Sequence, residues 1–516
     1  MAISKSANPL NKKQDLVHLA ILLLITFGIG AYLTITTVVI TTDGVWYIQK
    51  AMKLSSDPQD VIKDLPFGYP FLIFATHKLV SYFSGSSSLF TWIYSAQSVT
   101  LLCRLLALIP LYFIGKLLVG AKRSFWAIFI LIILPYPAQF VSEVVREWPH
   151  ILFLATGFLF LLIAARQDKW WLFAATGFVA GLGQIIRPEC AQLIIYGALW
   201  IFIRFFTPEP GTSRTKLLYA LSALIIGFAI PAVPYMTARG QFLPDKLKEL
   251  ISPAGQEESK EIPEPEINRD NQIYTASGVP GKILKAIYEL AGGISENLMY
   301  FFTPALLIGI YFYSRKQSPV AKIDTFFVPA FAVVNIIMLI VLYHSWGYIS
   351  RRHCMPLVVF TIFYVPIGLE VSAGWLANRF SPARDGLRHK SRPASDKDCR
   401  QWFFILLIIG TIICLPKLLR PTGSDKPGFR AAAKWLRENT AQDTMIASPD
   451  NRITFYAERK ARIYDTTPTK KTEYVVTIVK DENQVPDFVR NAQKQYSVWE
   501  NKHRKNKKIV IYKTPL

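Results

Sequence analysis

The sequence predicts a mainly α-helical, polytopic membrane protein with about 11 transmembrane helices and a small C-terminal α/β domain. The chain is 51% hydrophobic and only 18% charged, whereas soluble domains carry about 25% charged residues. Apolar runs close to the bilayer-spanning length of about 20 residues recur along most of the chain. Lys and Arg are concentrated in alternate connections between these runs.

The apolar runs fix the predicted spans. They lie at roughly 16–41, 90–115, 124–141, 149–165, 170–186, 190–206, 216–237, 297–314, 325–343, 354–373 and 402–418. The first run is too long for the core of a signal peptide and lacks a small-residue cleavage site. We therefore expect it to remain as a membrane anchor.

The basic connections predict the orientation of the spans, because Lys and Arg favour cytoplasmic loops. With the N-terminus inside, every cytoplasmic loop is basic, from Lys12 and Lys13 to the run between Arg379 and Arg400. This predicts an N-in, C-out protein of the cytoplasmic (inner) membrane. The same loops hold much of the formal charge of +22, so we expect a lipid bilayer, and no nucleic acid, as partner.

The topology divides the chain into a membrane domain, residues 1–418, and an exterior or periplasmic soluble domain, residues 419–516. Two long exterior loops, 42–89 and 239–296, interrupt the membrane domain. The second contains the acidic, proline-rich run Gln256–Glu266, which predicts a solvated loop, and a helical stretch near 281–291.

Amphipathic stretches in the first exterior loop predict helices lying in the membrane interface, over 43–54 and 70–83. Their expected aromatic anchors are Trp46, Tyr47, Phe71, Phe74 and Tyr82.

Alternating periodicities in the C-terminal region predict its α/β fold. Helices are expected over Phe429–Asn439 and Asp487–Gln495, and strands over Thr444–Ala447, Tyr474–Val479 and Ile509–Tyr512. The nearby Lys502–Lys508 cluster is compatible with contact to anionic headgroups and equally with a solvated strand edge.

The sequence lacks the motifs that are typical of several classes of enzyme and transporter. The chain has no Walker motif, no Gly-x-Ser-x-Gly elbow, no His-Glu-x-x-His and no dinucleotide fingerprint after a strand. Its five cysteines show no metal-ligand spacing, and none lies in a long exterior region. We expect neither ATP-driven transport nor serine or zinc hydrolysis, and neither disulfides nor structural zinc.

Ionisable residues recur where the exterior ends of the spans converge. The groups are Asp43; Glu143, Arg146 and Glu147; Arg187 and Glu189; Arg351, Arg352 and His353; and, inside the second span, Arg104. Ionisable groups at membrane depth are costly and commonly face a cavity or a partner. Their shared side predicts a polar cavity at the outer leaflet.

Each group also has a purely structural interpretation, which the sequence leaves open. These are a helix N-cap for Asp43, a snorkelling or paired Arg104, a surface helical pair for Glu143 and Arg146, a boundary pair with a snorkelling arginine for Arg187 and Glu189, and a headgroup anchor for Arg351 and Arg352.

The order and spacing of these pieces resemble the GT-C superfamily of membrane glycosyltransferases, in particular the bacterial protein O-mannosyltransferase and lipid A aminoarabinose transferase group. The resemblance covers most of the chain. Its pieces are Thr42–Tyr47, the turn Pro66–Phe71, the Glu143–Glu147 loop, Gly181–Glu189, Ser350–Pro356 and Ala433–Thr440.

The resemblance implies transfer of a sugar, with inversion, from a polyprenyl-phosphate donor to a glycan, lipid or protein hydroxyl at the outer face. It implies that Asp43 is the general base for that hydroxyl. The cations implied for the departing lipid phosphate are Lys63, Arg104, Arg187, Arg351 and Arg352. The acidic residues implied to orient the acceptor or supply a second carboxylate are Glu143, Glu147 and Glu189.

The chain departs from the family pattern at three points. Gly44 stands where many relatives have a second acidic residue, Lys63–Pro66 replaces a Lys-Pro-Pro-like turn, and Arg352-His353 replaces Arg-Tyr. A divalent metal held by paired carboxylates and a metal-free reaction are both compatible with these residues. The competing functions are a transporter or flippase for lipid-linked glycans, and a glycan ligase or polymerase.

Overall fold

A computed structural model describes residues 12–207, 213–241, 279–315, 322–380, 395–464, 472–480, 486–501 and 504–515. The Gln256–Glu266 loop lies outside the described residues, as do parts of the Arg379–Arg400 run and of the Lys502–Lys508 cluster.

Long apolar helices make up the membrane part, as the sequence predicts. In chain order the helices are α1 Lys12–Thr36, α2 Thr42–Lys53, α3 Pro58–Asp64, α4 Gly68–Ser84, α5 Leu89–Val119, α6 Ala121–Ile133, α7 Pro135–Gln139, α8 Glu147–Gln167, α9 Trp170–Ile186, α10 Gln192–Phe206, α11 Arg214–Arg239, α12 Val279–Asn297, α13 Phe302–Arg315, α14 Lys322–Trp346, α15 Arg351–Thr361, α16 Val365–Phe380 and α17 Asp396–Leu418. Short 3₁₀ turns, Pro188–Ala191 and Ile362–Tyr364, lead into α10 and α16.

Within the described residues, 8 helical segments are long and apolar enough to cross a membrane, or up to 9 if a bent pair counts as one span. The bent pair is α12 and α13, which meet at 107°. The other predicted spans coincide with shorter helices because prolines interrupt them: α6 ends just before Pro135, and α9 just before Pro188.

The bundle has two ends, which we name by their charged residues. At the Asp43 end α1 finishes and α2 begins, and at the Asp15 end α1 starts. Helices form over both predicted amphipathic stretches, as α2 and α4 with α3 between them; their position in the membrane interface stays a prediction. Trp46 and Phe71 are exposed, as anchors require, but Tyr47 is buried, with its ring 5.0 Å from that of Tyr69. The expectation for Tyr47 was wrong because consecutive helix positions lie about 100° apart, so Trp46 and Tyr47 point in different directions.

The C-terminal part is a small mixed sheet with flanking helices. Its elements are α18 Pro427–Asn439, β1 Met445–Ser448, α19 Asn451–Ala457, β2 Lys460–Ile463, β3 Tyr474–Val479, β4 Gln493–Trp499 and β5 Lys508–Lys513. The strand order is β2-β1-β3-β5-β4; β1 is parallel to β2 and β3, whereas β5 is antiparallel to β3 and β4.

The helix predicted over Asp487–Gln495 is wrong. Only a 3₁₀ turn forms there, Asp487–Val489, and Gln493 already begins β4. Pairing with β5 decides the conformation: it satisfies the β4 backbone groups, and Tyr496 stacks on Trp435 of α18 with ring centroids 5.5 Å apart. Tertiary contacts override a weak local helical preference.

Candidate active site

The first turn of α2 presents the Asp43 carboxylate. The N-cap of α2 is Thr41, whose hydroxyl accepts a hydrogen bond from the Gly44 N–H at 3.1 Å. The cap role that the sequence left open for Asp43 therefore belongs to Thr41. Asp43 lies within the first turn, where the helix dipole favours a negative charge, and its side chain is 43% exposed.

Close packing explains why glycine stands at position 44, where many relatives have a second acidic residue. A Cβ at this position would lie 2.7 Å from the Glu143 carbonyl oxygen and 3.0 Å from the Val144 Cβ. The Thr41 hydroxyl also donates to that same Glu143 oxygen at 2.8 Å. The start of α2 is thus packed directly on the Glu143 turn, and a larger residue at position 44 would force the two apart.

Alternating charges extend inward from Asp43. The Arg352 Nη1 lies 2.6 Å from Asp43 Oδ2, and the Arg352 Nε lies 3.9 Å from Glu147 Oε1. The same Glu147 oxygen is 3.7 Å from Arg187 Nη1, and Arg187 Nε is 3.3 Å from Glu189 Oε1. We call these five residues, Asp43, Arg352, Glu147, Arg187 and Glu189, the charge chain. It links helices that are far apart in sequence.

Local chain geometry places each member. Glu147 opens α8 and Arg352 lies in the first turn of α15, while Arg187 lies in extended backbone between α9 and the 3₁₀ turn. Pro188 forces that conformation because it disfavours a helical residue before it. The Ser350 N–H donates to His353 Nδ1 at 3.3 Å. His353, which stands where the family pattern has tyrosine, thereby stabilises the start of α15.

Burial is greatest in the middle of the charge chain. The side chains of Glu147 and Arg187 are 7% and 8% exposed, so Arg187 is enclosed by protein rather than snorkelling. Within the described part of the chain, no donor reaches the buried Glu147 Oε2. Buried charges with unused hydrogen-bond capacity are costly, and such costs are commonly found at functional sites.

Glu143 lies beside the charge chain, in a turn rather than on a helix, so the surface helical pair with Arg146 does not form. Val144 next to it has a positive φ of 60°. Burial raises the pKa of Glu143 to about 7, with Arg352 opposing the shift and Glu147 adding to it. A carboxyl group with such a pKa can exchange protons near neutral pH.

Arg351 belongs to a second cluster although it neighbours Arg352, because adjacent helix positions point in different directions. Arg351 Nη1 lies 3.0 Å from Glu296 Oε1, and the Tyr136 hydroxyl donates to that oxygen at 2.6 Å. Lys417 donates to the Tyr136 hydroxyl, and its ammonium group lies 3.9 Å from the centre of the ring.

Two other predicted cations lie apart from the charge chain. Lys63 is exposed near the end of α3, and no ion pair in the described ranges joins it to Asp43. Arg104 is fully buried in α5, where it donates to the Ile132 carbonyl at 3.0 Å and stacks 5.2 Å from the Trp148 ring. Arg104 therefore does not snorkel.

Three residues of this second cluster were not predicted from the sequence: Tyr136, Glu296 and Lys417. Lys417 carried a signal, because a lysine at the exterior end of a predicted span runs against the basic-inside pattern. Among the described residues, no group of three or more His, Cys, Asp or Glu side chains is arranged to hold a metal ion.

Comparisons with known proteins agree with this architecture. Residues 69–235 match the family described as dolichyl-phosphate-mannose-protein mannosyltransferase. That segment includes Glu143, Glu147, Arg187 and Glu189 but neither Asp43 nor Arg352. A search of curated protein sequences finds no significant match.

Solved structures match over nearly the whole chain. ArnT from Cupriavidus metallidurans in the apo state has a TM-score of 0.55 and 11% identity, covering 96% of this chain and 97% of that one. ArnT bound to undecaprenyl phosphate gives a TM-score of 0.55 and 11% identity, with coverages of 97% and 98%. The apo oligosaccharyltransferase of Archaeoglobus fulgidus has a TM-score of 0.53 and 14% identity, covering 90% of this chain and 70% of that one.

The apolar helices, the C-terminal sheet and these matches confirm the resemblance seen in the sequence. The chain has the fold of the GT-C superfamily of membrane glycosyltransferases, and its residues 69–235 match the mannosyltransferase family named above.

Proposed function

We propose that the protein transfers a sugar from a polyprenyl-phosphate donor to a hydroxyl group of a glycan, lipid or protein, with Asp43 as general base. One observation carries the proposal: a half-exposed Asp43 carboxylate is paired with Arg352 at 2.6 Å, at the accessible end of a buried charge chain. In the proposed reaction the carboxylate is the proton acceptor, and the guanidinium beside it is a cation suited to a phosphate. The binding of undecaprenyl phosphate to ArnT, a protein of the same fold, supports this donor class.

The proposed reaction is a single displacement. Asp43 takes the proton of the acceptor hydroxyl while the acceptor oxygen forms a bond to the anomeric carbon. The bond from that carbon to the donor phosphate oxygen breaks, and its electron pair leaves with the polyprenyl phosphate. One displacement inverts the configuration of the anomeric carbon.

In this scheme Arg352 binds two groups in turn, the Asp43 carboxylate and the donor phosphate. In the structure it holds Asp43, and its side chain is 34% exposed, so a donor phosphate can reach it. A phosphate that binds the guanidinium draws it from the carboxylate, which frees Asp43 to accept a proton. The charge that develops on the departing phosphate is then stabilised by the same guanidinium.

The remaining predicted residues support these two. Glu189 holds the buried Arg187, Arg187 holds Glu147, and Glu147 in turn orients Arg352 from its inner side. Glu143 is proposed as the second acidic group toward the acceptor. Lys63 and Arg351 remain proposed phosphate contacts from the rim of the site, and Arg104 stabilises the packing behind Glu147 through Trp148. The proposed topology puts this site and residues 419–516 on the exterior side of the inner membrane.

The test separates an enzyme from a transporter or flippase. Purified protein in proteoliposomes receives undecaprenyl phosphate carrying radiolabelled mannose or 4-amino-4-deoxyarabinose, with a Ser/Thr-rich peptide, lipid A or water as acceptor. Mass spectrometry measures the release of sugar-free undecaprenyl phosphate, and protein-free liposomes give the background. We expect acceptor-dependent release. Passage of the labelled lipid across the bilayer with its glycosidic bond intact would instead establish a transporter.

A further inference from the structure

The segment before Asp43 is held by the C-terminal part of the chain. Residues 37–41 connect α1 to α2, and we call them the strap. Within the strap Val39 and Ile40 are buried. Thr41, the last residue of the strap, caps the helix that carries Asp43. Any displacement of the strap therefore moves the Asp43 carboxylate.

The backbone of the strap forms hydrogen bonds with residues that follow the last span. The Val38 N–H donates to the Thr422 carbonyl at 2.9 Å, and the Val38 carbonyl accepts from Arg430 at 3.3 Å. The Ile40 N–H donates to the Tyr456 hydroxyl at 3.1 Å. Buried backbone groups need such partners, and these come from three different places in the C-terminal region.

Aromatic and glycine contacts strengthen the same junction. The Arg430 guanidinium lies 4.7 Å from the Tyr456 ring centre and 4.8 Å from that of Phe90 in α5. Gly423 has a φ of +70°, and a Cβ there would lie 2.3 Å from the Val39 carbonyl oxygen. The linker after α17 thus fits against the strap only with glycine at position 423.

From these contacts we infer that the C-terminal domain is a positioning element for the Asp43 base, with Tyr456 and Arg430 as its positioning residues. The inference rests on the proposed function for the role of Asp43. Tyr456 touches no reacting atom: its hydroxyl fixes the Ile40 N–H, the strap fixes the Thr41 cap, and the cap fixes the first turn of α2. Small displacements of a catalytic group reduce the rate of the chemical step more than they reduce substrate affinity.

The experiment compares Tyr456→Phe with Tyr464→Phe in the full-length protein. Both variants remove one buried hydroxyl from the same domain, but Tyr464 donates to the Val476 carbonyl, away from the strap. Hydrogen exchange over residues 37–45 reports on the strap and the first turn of α2. Turnover of undecaprenyl-phosphate-linked mannose gives kcat and KM.

For Tyr456→Phe we expect faster exchange from Ile40 through Gly44, and a kcat at least about threefold lower with an unchanged KM for the donor. Tyr464→Phe should change neither value. Equal exchange over 37–45, or equal kcat, in the two variants would overturn the inference. If Tyr456→Phe does not fold, Arg430→Lys provides the same comparison.

The two proposals fail differently. A wild-type protein that leaves the donor intact refutes the proposed function, while the exchange comparison still decides whether the C-terminal domain orders the start of α2. Normal turnover with an unordered strap in Tyr456→Phe refutes the positioning role alone.

Discussion

The two ends of the helix bundle differ in how completely their buried carboxylates are hydrogen-bonded. At the Asp15 end, Lys116 lies 2.6 Å from Asp15 Oδ2, and the Tyr112 hydroxyl donates to Asp15 Oδ1 at 2.9 Å. Both carboxylate oxygens are satisfied. At the Asp43 end, one oxygen of Glu147 is shared by two arginines at 3.7 and 3.9 Å, and its other oxygen has no donor among the described residues.

This difference distinguishes a structural ion pair from the proposed active site. Desolvating a charge is costly, and a pair with complete hydrogen bonding recovers most of that cost. In the Asp15 pair both carboxylate oxygens already have a donor, so the pair has no hydrogen-bond capacity left for a ligand. The charge chain has unused hydrogen-bond capacity at Glu147 and is most exposed at Asp43, where the proposed donor phosphate and acceptor hydroxyl would bind.

The largest expected effect is that of Asp43→Asn, which keeps the shape of the side chain but removes the proposed general base. We expect transfer to fall by about 10²–10⁴-fold, the usual contribution of general base catalysis. The matched control is Asp64→Asn: Asp64 is an acidic residue of the same loop, similarly exposed and paired with Lys50. Transfer assays on both purified variants measure the difference, and full activity of Asp43→Asn would remove Asp43 from the role of base.

Glu147→Gln should break the middle of the charge chain. Arg352 and Arg187 both lose a charged partner, so we expect kcat to fall by about 10- to 100-fold through misplacement of Arg352. Donor turnover and thermal unfolding, measured on one preparation, check this. A variant with lower stability but normal kcat would show that Glu147 only supports the fold.

Glu143→Gln should alter pH dependence more than maximal rate. The pKa of Glu143 is raised from 4.5 to about 7, so the folded protein binds this proton more tightly than the unfolded chain does. Its contribution to stability is therefore lost as pH rises from about 4.5 to about 7. The unfolding temperature of the wild type should fall across that window relative to Glu143→Gln, and parallel profiles of the two proteins would contradict the shift.

The smallest effect on activity is expected at the other end of the bundle. Asp15→Asn weakens a buried pair and should lower stability by about 1–3 kcal/mol. Turnover per folded molecule should stay at the wild-type value, because the pair lies far from the charge chain. Denaturation and turnover assays measure the two quantities, and a loss of kcat here would undo the contrast between the ends.

The sequence predicted the helices of the fold well because the length of an apolar run can be read directly from neighbouring residues. Every predicted span overlaps one of the observed apolar helices, and the strand Tyr474–Val479 was predicted with its observed limits. The failures lie where neighbours decide the outcome. Gln493–Trp499 becomes a strand through pairing with β5, and Tyr47 turns inward onto Tyr69.

The candidate site was predictable as a set of residues but not as a geometry. Clustering at the ends of the spans singled out Asp43, Glu147, Arg187 and Arg352. Their partners come from four separate helix ends, so no spacing in the sequence shows that Arg352 reaches Asp43 while Arg351 reaches Glu296. Nor did any sequence signal indicate that Tyr456, more than 400 positions away, contacts the strap before Asp43.

The most direct test of the central claim is the position of the lipid phosphate. A cryo-EM map of the wild-type protein with undecaprenyl phosphate should show the phosphate within about 4 Å of the Arg352 guanidinium, the limit for an ion pair. The Asp43 carboxylate should face the open side of that phosphate, where the sugar would lie. A phosphate bound elsewhere, with neither Arg352 nor Arg187 in reach and Asp43 still locked to Arg352, would contradict the account.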